Sequence, residues 1–177
     1  MTADFFPEEE TSPDQLESKQ PKPSDIRAFA ERLLSNREYA VLEMQDRLLR
    51  KWPATEETRH AIEDVVSDLH SEDLLSNERF AEAFVRSRRI QFKGPFKIHA
   101  EMRARKVPED LIHSVLNDQE ESWVDLAVSW LQKYCKEKLD YQAKAKYYRR
   151  LTNRGFNHEQ AMRALEIYQV SEDFDVN

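Results

Sequence analysis

LLSNERFAEAFVRSRRIQFKGPFKIHAEMRARK, residues 74–106, reads as a helix, a Gly-Pro break and a second helix. Ser76 or Asn77 offers a side-chain oxygen to the free amides of a first turn. Phe80, Phe84, Ala83 and Ser87 then recur at helical spacing, and Ala81 and Val85 widen the apolar arc. A broad arc predicts a helix packed on more than one neighbour, in the middle of the molecule. Glu82, Arg86 and Arg89 fall on the opposite, wet side, whereas Arg88 falls inside the arc and reads as a snorkelling or paired structural arginine. At the break, Gly94 is expected to close the first helix in a left-handed conformation and Pro95 to open the next, where Ile98 and Met102 point inward.

The same stretch is a cationic island. From residue 79 on, Arg79, Arg86, Arg88, Arg89, Lys93, Lys97, Arg103, Arg105 and Lys106 stand against Glu82 and Glu101 only. The chain as a whole carries a formal charge of −7. The sign alternates in blocks: −6 over 23–78, +7 over 79–106, −6 over 107–132 and +6 over 133–154. A solvated face mixes its signs, so two cationic blocks suggest surfaces for an anionic partner.

The remainder reads as short helices that each need tertiary packing to persist. Ser24 precedes one reaching Leu34, with Ile26, Phe29, Ala30, Leu33 and Leu34 at helical spacing. A second is expected over Glu38–Lys51, with Tyr39, Leu42, Leu48 and Leu49 inward, ended by Trp52-Pro53. Thr55 caps a third, and Pro108 opens another carrying Leu111, Ile112, Val115 and Leu116. Glu121–Lys138 follows, with Trp123, Ala127, Trp130, Leu131 and Tyr134 inward. Then come Tyr141–Asn153 and a last helix capped by Asn157 with Gln160 placed for a capping box. The junctions Arg50-Lys51-Trp52, Arg105-Lys106-Val107 and Arg154-Gly155-Phe156 line up at a period of about 50 residues, three copies long. With two glycines in 177 residues, sheets and Gly-rich phosphate loops are disfavoured. The expected fold is all-α, an elongated array of three tandem three-helix repeats over 23–70, 71–118 and 119–170, its hand left open. Residues 1–22 read as a disordered acidic arm and 171–177 as an acidic tail.

Chemistry is sparse. The five histidines show no H-x-x-x-H or other metal spacing, and no nucleophile elbow occurs, so no catalytic residue, metal or cofactor is expected. One cysteine, Cys135, suggests a reducing compartment and packing rather than reactivity. No apolar run is long enough to span a membrane, and the expectation is a cytoplasmic monomer without membrane contact. The aromatics read as core, with Tyr148, beside Lys144, Arg149 and Arg150, the best candidate for base stacking.

DLLSNERFAEAFVRSR at 73–88, followed by GPFKIHAEMR at 94–103, closely resembles the central signature of the RecX family. Met102 stands where that family usually has Leu. RLLSNREYAVLEM at 32–44 resembles its first repeat, with mild departures at Tyr39, Ala40 and Met44, and RRLTNRGF at 149–156 carries a weaker third. The resemblance spans about 24–168. It implies three tandem three-helix repeats and a non-enzymatic modulator of the RecA recombinase. Such a protein binds in the groove of the RecA–single-stranded-DNA filament and limits its extension, ATPase, strand exchange and coprotease activity. Under that reading Arg79, Arg86, Arg89, Lys93, Lys97, Arg103 and Arg105 form the main partner surface. Lys144, Lys146, Arg149 and Arg150 form a second. The alternative is a stand-alone protein binding single- or double-stranded DNA through the same segments.

Overall fold

In the computed structural model the described residues are 20–53, 55–117 and 121–175. They form nine α-helices and no strand. The first unit comprises α1 (Pro23–Leu34), α2 (Val41–Leu49) and α3 (Glu56–Ser71); the second α4 (Asn77–Ile90), α5 (Pro95–Arg103) and α6 (Glu109–Asn117); the third α7 (Glu121–Tyr134), α8 (Tyr141–Asn153) and α9 (His158–Asp175). The helix starts follow local chemistry. Thr55, Ser76 and Asp140 each accept a hydrogen bond from the third residue on. Asn157 and Gln160 close a capping box, with Gln160 N–H donating to Asn157 Oδ1 at 2.7 Å and Asn157 N–H to Gln160 Oε1 at 3.0 Å. The expected arm over 1–22 lies mostly outside the described residues. α9 runs past the expected repeat end at 170 to Asp175.

Helix ends explain how the chain manages with two glycines. α3, α4, α5 and α8 all finish with a left-handed residue, followed by an amide that reaches back five residues: Leu74 to Leu69, Lys93 to Arg88, Val107 to Met102, Phe156 to Leu151. Only the last uses glycine, Gly155 at φ 95°; the others are Asp73, Phe92 and Lys106. Gly94 is not left-handed as expected. It sits at φ −79°, ψ 168°, and Phe92 takes the positive φ instead. The reason for a glycine at 94 is space. A Cβ there would lie 2.4 Å from the Gly155 carbonyl carbon and the Phe156 nitrogen. The two glycines of the chain meet each other.

Each unit closes around its own core, and the middle core borrows from both sides. Ile26, Met44, Leu48, Ile62 and Leu69 are fully buried in the first, Leu131 and Leu151 in the third. Phe80, Phe84, Ile98, Met102 and Ile112 fill the second together with Ala40 from the first unit and Trp123 from the third. Trp123 donates its indole N–H to Leu116 O at 3.2 Å. This sharing holds the repeats in a row, since a three-helix unit alone leaves an apolar face bare. Two expected core residues are displaced: Leu42 and Tyr134 are each 43% exposed. Ala40 is extended, so α2 starts at Val41 rather than Glu38, which turns Met44 inward and Leu42 out.

The two joints differ in chemistry. Between the first and second units Arg79 bonds Glu38 (3.2 Å), Lys106 bonds Asp46 (2.8 Å), Arg105 approaches Glu43 (3.7 Å), and Val41 N–H donates to Asn77 Oδ1 (2.9 Å). Between the second and third, Gly94 N–H donates to Arg154 O (2.8 Å) and Phe96 N–H to Gly155 O (3.0 Å). Among the described residues no ion pair crosses the second joint.

Candidate partner-binding groove at the second joint

Because α5 docks on the α8–α9 turn, it brings the two cationic blocks of the sequence side by side. Lys93 and Lys97 face Arg150, Asn153 and Arg154 across a groove of about 520 Å³ whose floor is Trp130 and Tyr134. Arg154 is part of the wall. Its guanidinium donates to Gln91 O (3.1 Å) and lies 4.9 Å from the Trp130 ring centroid. Lys133 stands 5.5 Å from the Tyr134 ring. Phe92 meets Tyr134 edge-on at 6.0 Å.

Not every cation is free to meet a partner. Lys93 Nζ and Arg88 Nε both bond Glu101 at 2.7 Å. Burial pushes the Glu101 carboxyl up, but the hydrogen bonds from Lys93 and Arg88 outweigh it and hold it below its ordinary value. Arg88 also lies over Phe84, 4.1 Å from the ring centroid, as a structural arginine. Lys97, exposed on α5, and Arg150, exposed on α8, have no acidic partner among the described residues. They are the groove's uncommitted charges. Tyr134, exposed at the same place, gives an aromatic surface beside them. Phosphate oxygens with a stackable ring, or carboxylates on a protein, suit such a lining.

The remaining expected cations are scattered. Arg79 and Arg105 belong to the first joint, where Arg79 also bonds Asp73 at 2.7 Å and Arg105 donates to Glu101 O at 2.6 Å. Arg89 is not wet as its helical position suggests. It is half-buried, 4.6 Å from the Trp123 ring centroid, its Nη1 buried without a partner, and burial lowers its pKa. Arg86 pairs loosely with Glu82 at 3.6 Å, Lys146 bonds Glu137, and Arg103 is exposed. Lys144, Arg149 and Tyr148 line a separate apolar groove of about 500 Å³ between α8 and α9. Tyr148 is turned to His158, its hydroxyl 2.9 Å from Nδ1, so Tyr134 rather than Tyr148 is the ring beside the free cations. Reasoning from sequence missed Arg154 and Tyr134, which read as block and core; the equivalent place of Arg154 in the repeat was the available signal. It also missed His99, Glu109 and His113, which converge although no pair of histidines has metal spacing.

Residues 76–116, which take in α4, α5 and all but the last residue of α6, match the family model for the second three-helix domain of RecX. The chain is 33% identical over 130 residues to the regulatory protein RecX of Legionella pneumophila strain Corby, covering 72% of this chain and 84% of that one. It is 36% identical over 135 residues to the RecX of Chromohalobacter salexigens, covering 76% and 86%. The chain belongs to the RecX family. The crystal structure of RecX from Lactobacillus salivarius superposes with a TM-score of 0.70 at 19% identity, over 84% of this chain and 97% of that one, so the RecX fold persists where the sequence has drifted. No helix among the described residues is long and apolar enough to cross a membrane.

Proposed function

We propose that this RecX-family chain is a non-enzymatic regulator of the RecA recombinase, lying in the groove of the RecA–single-stranded-DNA filament and limiting its extension, ATPase, strand exchange and coprotease activity. Family membership supports the partner. The single observation that supports the mode is the convergence of Lys97 and Arg150 over Tyr134 at the second joint. A row of three units carries several modest contacts along a filament, and linked contacts act together. Lys97 and Arg150 make the central one, with Lys93 held beside them by Glu101. Arg86, Arg103, Lys144, Lys146 and Arg149 lie at the periphery of the proposed surface. Arg79, Arg89 and Arg105 act by holding the units together.

The test is the single-stranded-DNA-dependent ATPase of RecA, with this protein titrated in below the RecA concentration. The expected result is substoichiometric inhibition, weakened at least about tenfold in Lys97→Glu/Arg150→Glu and unchanged in Arg163→Glu, an exposed residue of α9. Equal inhibition by the double variant, with its melting temperature intact, moves the contact elsewhere. A second reading is favoured by the exposed Tyr134 between cations: autonomous DNA binding. It predicts affinity for bare single strands that falls steeply with salt and with Tyr134→Ala. Absence of binding at low salt removes it.

A further inference from the structure

The far side of α5 carries a different chemistry. Lys97 and His99 are two residues apart, about 200° around the helix, so they leave α5 on opposite sides. His99 Nε2 lies 2.6 Å from Glu109 Oε1 at the start of α6. His113, one turn further along α6, places its Nε2 3.4 Å from the same oxygen. The two imidazole centroids are 5.5 Å apart, and all three ligand atoms lie within 4.8 Å of one another.

We propose that His99, Glu109 and His113 form a binding site for a divalent transition-metal ion of the zinc type, bridging α5 and α6 of the middle unit. Two imidazoles and one carboxylate are a donor set that suits zinc, cobalt and nickel and disfavours calcium and magnesium, which take oxygen. The spacing fits. Ligands about 2.0–2.1 Å from a tetrahedral ion stand about 3.3 Å apart, which the Glu109–His113 pair already does. The His99–Glu109 pair needs to open by under about 1 Å, within reach of two side-chain rotations. Both rings present Nε2 to the carboxylate, so protons on Nδ1 leave two lone pairs aimed at one point. His99 and His113 form one wall of a cavity of about 220 Å³ shared with Phe96, Asn117, Trp123 and Asn157, room for a water as fourth ligand. Sequence spacing hides the site because its ligands come from two helices reversed by the turn at Lys106.

The test uses the full-length, tag-free chain stripped with a chelator. Zinc is titrated calorimetrically, and cobalt is followed by its visible absorption. The expected result is one ion per chain, a cobalt spectrum of low-coordinate type, and a melting temperature that climbs with free zinc as a native-state ligand requires. His99→Ala/His113→Ala abolishes all three, Glu109→Gln weakens zinc at least about tenfold, and His60→Ala at an exposed position of α3 changes nothing. The side chain of His113 is more than half exposed, so His113→Ala alone should also weaken zinc while melting with the metal-free wild type, which separates ligand loss from misfolding. Two outcomes overturn the proposal: zinc at 1 mM, taken as roughly the weakest specific divalent-ion affinity, that leaves the wild-type melting temperature unmoved, or binding that survives in the double histidine variant.

Discussion

Glu101 shows how one residue connects stability to the groove. It anchors Lys93 and Arg88 from a position less than a quarter exposed, and its carboxyl titrates below its ordinary value of 4.5. A depressed folded value means its stabilisation is complete above 4.5 and is lost as pH falls through the lower, folded value. Glu101→Gln should therefore lower the melting temperature by about 2–4 °C at pH 7, and the gap to wild type should narrow as pH falls below 4.5. A constant gap from pH 7 to pH 3 would show that the pair is not the cause. Gly94 answers to sterics. Gly94→Ala places a methyl 2.4 Å from backbone atoms that cannot rotate away, and should cost about 1–3 kcal/mol in denaturant unfolding. By contrast Lys106 bears a left-handed conformation with a Cβ. Lys106→Gly relieves that strain while losing the exposed pair with Asp46, so its stability should stay within about 1 kcal/mol of wild type.

At the scale of helices, α5 does two jobs because its two sides are committed differently. Ile98 and Met102 pack into the middle core, and the flanks of that face differ: Lys97 leaves on one towards the groove, His99 on the other. Trp123 ties α7 to its neighbour: it is an α7 residue 1% exposed in the core of the second unit. Trp123→Ala should cost about 3–5 kcal/mol and broaden unfolding into two transitions, because the third unit loses its anchor in the second. A single sharp transition would mean the units are held chiefly by the glycine contact. Most helices were legible in the chain, since Thr55, Ser76, Pro95, Asn157 and Gln160 announce their starts by local chemistry. The sequence starts α2 too early because Glu38-Tyr39-Ala40 has helical propensity, which docking of Ala40 on the second unit overrides. The groove was legible only as two basic blocks. Which members are neutralised by Glu38, Glu43, Asp46 and Glu101 depends on contacts up to 60 residues apart, and no spacing rule reaches that far.

Across the whole molecule the two joints predict different responses to salt. The first relies on exposed or half-exposed ion pairs, each worth about 0.2–1 kcal/mol and weakened by screening. The second relies on backbone hydrogen bonds and ring contacts that salt barely touches. Raising salt to about 1 M, where the screening length is about 3 Å, should speed hydrogen exchange at the Val41 amide, while the Gly94 and Phe96 amides keep their protection. Equal loss at all three would mean the joints are not distinct. The meeting of Gly94 with Gly155 has one more consequence, for how such a chain changes over generations. Either position can gain a side chain only if the opposing backbone retreats, and that backbone belongs to a different repeat. The two sites are therefore bound to vary together or not at all, and a duplicated copy of the third unit appended to this array could seat only on a partner that had kept its own bare α-carbon.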